Sequence, residues 1–247
     1  MSAPLRAALD AAGIHLGEEA VSALVRYMEF VLAANAVQNL TALRSPQLFA
    51  AEGIVDSLRA WSAIGITARH VVDVGSGSGL PALVWLCAGL VPRATLVEAE
   101  RRKTEFLQGA VEALSLRAEV SWGRAEQLAR THLRDSAQLV VARALAPAPI
   151  ALEVCGGLVR PGGSLALLKG RRAREEAALG RPVAARMGFA AARVREYELP
   201  GGAARAVLVY RKLRPTPPDR PAAFAALRRE FPTGPPDTTG KAGSEAK

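Results

Sequence analysis

The sequence is poor in the groups that do chemistry unaided. Of its 247 residues two are cysteine, three are histidine and 5% are aromatic. Cys87 and Cys155 sit in apolar surroundings without metal-type spacing, which excludes a disulfide framework and points to a reducing compartment. His15, His70 and His132 are scattered, with neither triad nor metal spacing, so surface or strand-edge places are expected and no metal site is. So few aromatics argue against a broad stacking platform for single-stranded nucleic acid. No stretch supplies the roughly 18 to 20 uninterrupted apolar residues of a membrane span, and the start lacks the succession of basic, apolar and small residues that marks a leader. A cytoplasmic protein is the expectation.

What the sequence does have is hydrophobic residues, half of the total, enough for one sizeable core. It also has 32 Lys+Arg against 23 Asp+Glu, a net charge of +9. The excess is unevenly placed: residues 1–70 hold five arginines and six acids, a net of −1, so residues 71–247 carry +10. Of the 32 basic residues 27 are arginine, whose planar fork suits phosphates and guanine edges. An Arg- and Ala-rich composition would give the same count without any ligand, and charge alone leaves both readings open.

Val21, Leu24, Val25, Met28, Val31 and Leu32 recur at helical spacing, and Asn39-Leu40-Thr41 ends that helix. Ser45-Pro46 then predicts an N-cap and first-turn proline for a second helix, running through Leu48, Phe49, Ile54, Val55 and Leu58 to about Trp61. Residues 1–69 read as an N-terminal helical cap. From residue 70, short β-branched runs (70–74, 94–98, 118–121, 138–142, 164–168) alternate with helical stretches (80–89, 101–116, 126–133, 150–159), which predicts a parallel α/β sheet with crossover helices over 70–214. A helix over 171–187 and a closing hairpin, 190–198 with 206–211, complete that unit. Seven of the sixteen prolines fall between Pro215 and Pro236, so 215–247 reads as a basic, irregular or disordered arm with a short helix at 224–231.

The strongest local signal is Val71-Val72-Asp73-Val74-Gly75-Ser76-Gly77-Ser78-Gly79, an apolar strand entering three alternating glycines before a helix. Glycines permit the tight turn and let a ligand approach the backbone, and the helix start offers free N–H groups. Glu98 ends the next strand, 23 residues after Gly75, where a carboxylate can accept both hydroxyls of a ribose. Dinucleotide and S-adenosylmethionine (SAM) sites share this arrangement. The dinucleotide pattern wants a third glycine at position 80, which is leucine. The pattern Asp-x-Gly-x-Gly-x-Gly, with the later Pro161-Gly162-Gly163 before a strand, resembles the class I SAM-dependent methyltransferases, whose Rossmann-like sheet is the expected fold.

From Asn39 to about Tyr210 the chain resembles one family, the bacterial 16S ribosomal RNA guanine-N7 methyltransferases, also called glucose-inhibited division protein B. The matching pieces are Asn39-Leu40-Thr41-Ala42, Asp56-Ser57-Leu58, the stretch from Asp73 to Pro81, Arg101-Arg102-Lys103 with Phe106-Leu107, Gly123-Arg124-Ala125-Glu126, Ala142-Arg143-Ala144 and Leu168-Lys169-Gly170. The resemblance implies methylation at N7 of the 16S guanine conventionally numbered 527, on the small ribosomal subunit; a monomer is the default expectation, taken apart from the resemblance. It implies SAM against Gly75, Gly77, Leu80, Glu98, Ala99, Glu100, Ala125, Glu126 and Arg143, with Glu98 on the ribose and Ala125-Glu126 beside the adenine. Catalytic places fall to Asn39, Arg124, Arg143 and Lys169, and an RNA face to Arg102, Lys103, Arg124, Lys169 and Arg205.

The chain departs from the family in three places: Gly53 stands where a histidine is usual, Arg205-Ala206 where Arg-His is frequent, and Pro218-Asp219-Arg220-Pro221-Ala222 where a basic Tyr-Pro-Arg tail is usual. The chemistry agrees with what the sequence lacks. Guanine N7 has an in-plane lone pair and no proton, so methyl transfer needs in-line positioning and no general base. Cytosine C5 chemistry would need a nucleophilic thiol, and both cysteines lie in apolar helical runs expected in the core. Two rivals remain at this stage, a methyltransferase of a small molecule or protein and a catalytically inactive SAM- or RNA-binding module.

Overall fold

The computed structural model describes residues 2–231, in which a single seven-stranded sheet organises the chain. Helix α1 (Ser2–Ala11) contributes Leu5 and Leu9 to the core, and α2 (Glu18–Gln38) lays Val21, Leu24, Tyr27, Met28 and Val31 on the same side. By length and composition α2 could cross a membrane, but that face packs inside the protein, and the Tyr27 hydroxyl donates to the carbonyl of Ser78 at 2.9 Å. Ser45 caps α3 (Pro46–Leu48) by accepting from the Leu48 N–H. The expected uniform second helix is instead α3, a wide π-helical stretch over Phe49–Val55, and α4 (Asp56–Ile64). The extra residue per turn in the middle segment keeps Phe49, Ala50, Ile54 and Val55 all buried.

The sheet follows as β1 (Val71–Val74), α5 (Ala82–Cys87), β2 (Ala94–Glu98), α6 (Arg101–Ala113), β3 (Ala118–Trp122), α7 (Ala125–Leu128), β4 (Ala137–Arg143), α8 (Ala148–Gly156) and β5 (Val159–Lys169). Helix α9 (Ala173–Arg186), β6 (Arg193–Glu198), β7 (Ala204–Arg211) and α10 (Phe224–Glu230) complete it. The strand order is β3-β2-β1-β4-β5-β7-β6; β1 to β5 run parallel and β7 pairs antiparallel with both β5 and β6. Order reverses between β1 and β4, and clefts in open α/β sheets form at the carboxyl ends beside such a reversal. Strand β5 begins earlier than expected, and α7 is one turn rather than a helix to 133.

One face of the sheet shares a hydrophobic core with α1, α2, α4 and α5; the other packs against α8 and α9. Cys87 and Cys155 lie in those two cores, and burial pushes the Cys87 thiol up to about 12. His70 sits at the start of β1, its Nε2 2.9 Å from the Thr95 hydroxyl. The C-terminal arm, expected to be irregular or disordered, is tied down through residue 231. Arg134 donates to the carbonyls of Thr216, Pro217 and Arg220, Arg130 to that of Pro221, and the buried Glu153 carboxylate accepts from Arg220 and the Ala222 N–H. The remainder of the arm, 232–247, lies outside the described residues.

Candidate active site

The Gly-rich turn leaves β1 with Gly75 at φ +72° and Gly77 at φ +57°, conformations that glycine adopts without strain. Gly75 donates to the Val97 carbonyl at 2.8 Å, locking the turn onto β2. A Cβ at Gly75 would come within 2.8 Å of Leu145 Cδ1, so a side chain here would have to push Leu145 aside as well as take the positive φ. Glu98, at the end of β2, accepts from the N–H groups of Gly77 (3.0 Å), Ala99 (2.8 Å) and Glu100 (2.9 Å). Three fixed donors orient the carboxylate, which has about four lone-pair sites, and leave it capacity for a ligand hydroxyl. Around it opens a cleft of about 180 Å³ lined by Gly75, Glu98, Ala99, Arg124, Ala125, Glu126, Leu145 and Phe224, among others.

Of the nine residues expected around a cofactor, this cleft brings together Gly75, Glu98, Ala99, Ala125 and Glu126. Gly77 reaches it through Glu98, while Glu100 pairs with Lys103 at 2.7 Å. Leu80 is buried in the core shared with the N-terminal helices. Asp73 is fully buried beneath the turn: Oδ2 accepts from the Ala82 N–H at 3.3 Å and Oδ1 has no partner. Burial pushes its carboxyl up to about 8.

Arg143, the ninth, faces a second cleft of about 380 Å³, together with Lys169, Arg205, Asp56, Glu176 and Tyr197. The loop Arg143-Ala144-Leu145-Ala146-Pro147 divides the two clefts: Leu145 faces the first, Ala144 and Ala146 the second, and Ala144 takes φ +53° to turn the chain between them. Arg143 donates to the Glu52 carbonyl at 2.8 Å and lies 3.5 Å from Asp56 Oδ2. Arg205 pairs with Glu52 at 3.1 Å and approaches Asp56 at 3.8 Å; Lys169 pairs with Glu176 at 2.7 Å. The Tyr197 hydroxyl donates to Asp56 Oδ1 at 2.8 Å, and burial together with that carboxylate raises its pKa. Three cations and two carboxylates therefore line this cleft, with Glu52 paired to Arg205 beside it, so it offers fixed donors and acceptors side by side rather than a bare positive patch.

The other expected residues lie outside both clefts, with one exception. Asn39 ends α2 in the left-handed conformation, φ +49°, and accepts from Arg44 at 2.7 Å, the part of an exposed helix-end residue. Arg102 and Lys103 stand in the first turn of α6. The exception is Arg124, expected on the RNA face, which borders the smaller cleft with its guanidinium 5.7 Å from the centre of the Phe224 ring. Sequence reasoning assigned no role to Glu52, Asp56, Leu145, Glu176, Tyr197 or Phe224. For Asp56 a signal existed, a charged residue among the apolar positions Ile54, Val55 and Leu58; the others join the clefts only through tertiary packing.

A profile of the family described as rRNA small subunit methyltransferase G matches residues 20–199. A ribosomal RNA small subunit methyltransferase G from Symbiobacterium thermophilum is 32% identical over 222 residues, covering 86% of this chain and 90% of that protein. One from Deinococcus deserti is 37% identical over 187 residues, covering 74% and 77%. Among solved structures, an O-methyltransferase from Bacillus cereus in complex with SAH superposes with a TM-score of 0.50 at 19% identity, covering 76% of this chain and 91% of its own. Cofactor-bound Rv0187 from MTB gives 0.52 at 17%, covering 78% and 91%. These two likenesses are of fold.

Proposed function

The chain belongs to the family of ribosomal RNA small subunit methyltransferase G, and from that premise we propose that it transfers a methyl group from SAM to N7 of a guanine in 16S ribosomal RNA, the guanine conventionally numbered 527. The fold is that of class I SAM-dependent methyltransferases. The observation that carries the reading is the pair of clefts on either side of the 143–147 loop, one built around Glu98 and one around paired arginine, lysine and carboxylate groups.

The residues of the smaller cleft fit SAM. Glu98 is held ready to accept from a ribose hydroxyl, Gly75 puts no side chain on the floor, and the unpartnered Asp73 oxygen lies beneath the turn. SAM supplies an electrophilic methyl on a sulfonium. The chain's part is to aim the guanine: N7 already carries its lone pair, so no side chain has to take a proton. The second cleft presents groups complementary to a guanine. Its carboxylates can accept from N1–H and the exocyclic amine, and Arg143, Arg205 or Lys169 can donate to O6, leaving N7 open.

On the outer surface, Arg101, Arg102 and Lys103 open α6 with no acid in the first turn. Arg101 pairs with Glu105 at 3.1 Å and Lys103 with Glu100 at 2.7 Å, surface pairs that an RNA phosphate can replace. The RNA substrate, the small subunit as its carrier, a monomeric enzyme and a cytoplasmic site of action belong to this proposal. The decisive experiment follows labelled methyl from SAM into small ribosomal subunits that lack the modification, with the product mapped by cleavage at 7-methylguanine. One labelled guanine is expected in wild type and none in Glu98→Ala, whose SAM affinity falls. SAM binding without incorporation into RNA would turn the reading to a small-molecule or protein substrate, or to an inactive binding module.

A further inference from the structure

The arm beyond residue 214 does more than cover the back of the sheet. Phe224, at the start of α10, reaches the smaller cleft and forms part of its wall with Ala125, Glu126 and Leu145. Among the described residues of the arm it alone lines that cleft, and the residue is half-buried, with the Arg124 guanidinium 5.7 Å from the centre of its ring. Its position is not left to chance. Behind it, Ala222 N–H and Arg220 bond the fully buried Glu153 carboxylate, at 3.0 and 3.1 Å, and Leu227 on the next turn is completely buried among the side chains of the β4–α8 side.

The cleft mixes polar and apolar lining. Glu98, Arg124 and Glu126 are its charged groups, and Glu98 with the backbone N–H groups it holds suits a ribose; Val74, Val97, Ala125, Leu145, Val154 and the Phe224 ring give it apolar wall. Apolar wall with one aromatic ring, in the same cleft as a ribose acceptor, fits a purine ring, because every base offers a π-face for stacking. Resting on the reading that SAM occupies this cleft, we propose that Phe224 is a cofactor-positioning residue that stacks on the adenine, so that the arm completes the SAM site. Arg124, now lying over the ring, then moves to or shares the edge of the purine. Residues 1–214 alone would form a cleft open on one side.

The test measures Kd for SAM and for S-adenosylhomocysteine by calorimetry on the full chain, for wild type, Glu98→Ala, Phe224→Ala, Phe224→Leu and Phe224→Tyr, with Tm for each. Phe224→Ala and Phe224→Leu are expected to raise both Kd values about tenfold, which corresponds to about 1.4 kcal/mol and lies within the range for a base on an aromatic ring. Phe224→Tyr keeps wild-type affinity, because it keeps the ring. A merely structural role would instead let Phe224→Leu restore affinity along with Tm. Affinity retained in Phe224→Leu, or unchanged in Phe224→Ala while Glu98→Ala weakens binding, overturns the inference and leaves the SAM site standing. Unchanged affinity in Glu98→Ala overturns the SAM site itself.

Discussion

Glu153 is the hinge pin of the arm, and its replacement by glutamine has a calculable consequence. The carboxylate is completely buried, 3.3 Å from Arg186 and 3.1 Å from Arg220, and accepts from the Ala222 N–H at 3.0 Å. Glutamine has the same shape and keeps one acceptor oxygen, so Ala222 and Arg220, which share Oε1, can stay bonded with the charge attraction lost; the other terminus becomes a donor facing the Arg186 guanidinium. Hydrogen bonds to charged groups contribute about 1.5–3 kcal/mol each. The two arginines retain 35% and 24% exposure, so water recovers part of what they lose. Relief of the buried negative charge offsets more of it. About 2 kcal/mol of destabilisation remains, and in a protein of this size that lowers Tm by about 4–8 °C. Thermal melts of Glu153→Gln, Arg220→Gln and the double variant form a cycle in which the two changes together cost less than their sum by about 1 kcal/mol. A Glu153→Gln protein melting within about 1 °C of wild type, or strict additivity in the cycle, refutes the clamp.

Asp73 gives a pH prediction. Its folded pKa of about 8 lies above the unfolded value of 3.8, so the folded chain binds the extra proton between these limits. The contribution is complete below about pH 4 and declines as pH rises through 8; urea midpoints should therefore fall from pH 6 to 9 in wild type more steeply than in Asp73→Asn, and equal slopes would contradict the burial argument. At Gly163 a Cβ would lie 2.8 Å from the carbonyl oxygens of Ala137 and Gln138 and 2.9 Å from that of Arg160, all backbone that cannot turn aside. Gly163→Ala is expected to cost about 1–3 kcal/mol, seen as a lowered denaturant midpoint, and an unchanged midpoint would show that β5 shifts freely. Arg205→Ala should leave Kd for SAM alone, because it faces the second cleft, and lower kcat/KM on small subunits at least tenfold; weakened SAM binding would place Arg205 wrongly.

The parallel strands were legible because β1, β2 and most of β4 are buried on both faces and read as unbroken apolar runs between helical stretches. Glu98 was legible for a related reason, as an acid closing such a run after a glycine turn. The π-helical stretch was not, since a hydrophobic pattern through Phe49, Ile54 and Val55 fits several helical pitches. Nor was the extension of β5 back through Arg160-Pro161-Gly162-Gly163, where local turn preference is overridden by pairing of Val159 with Ala137 on β4 and by backbone bonds of Gly162 and Gly163 to Lys212, just past β7. At the clefts, the residues that were missed are those whose partners are remote in sequence: Glu52 and Arg205 are 153 positions apart, Asp56 and Tyr197 141. Local pattern carries no record of such meetings.

The place of β7 in the sheet bears on the order in which the chain can close during synthesis. β6 is an edge strand bonded to β7 alone, and β7 emerges after it, so β6 has nothing to pair with until the hairpin turns back. Strand β7 sends Val207 and Val209 into the core that also holds Leu58 and Ile64 of α4. Helix α4 packs against β7 and so keeps apolar surface uncovered until about residue 209 has followed it, a non-local dependence of the kind that slows folding and exposes sticky intermediates. A nascent chain halted before β7 is where chaperones that bind apolar segments would find this protein.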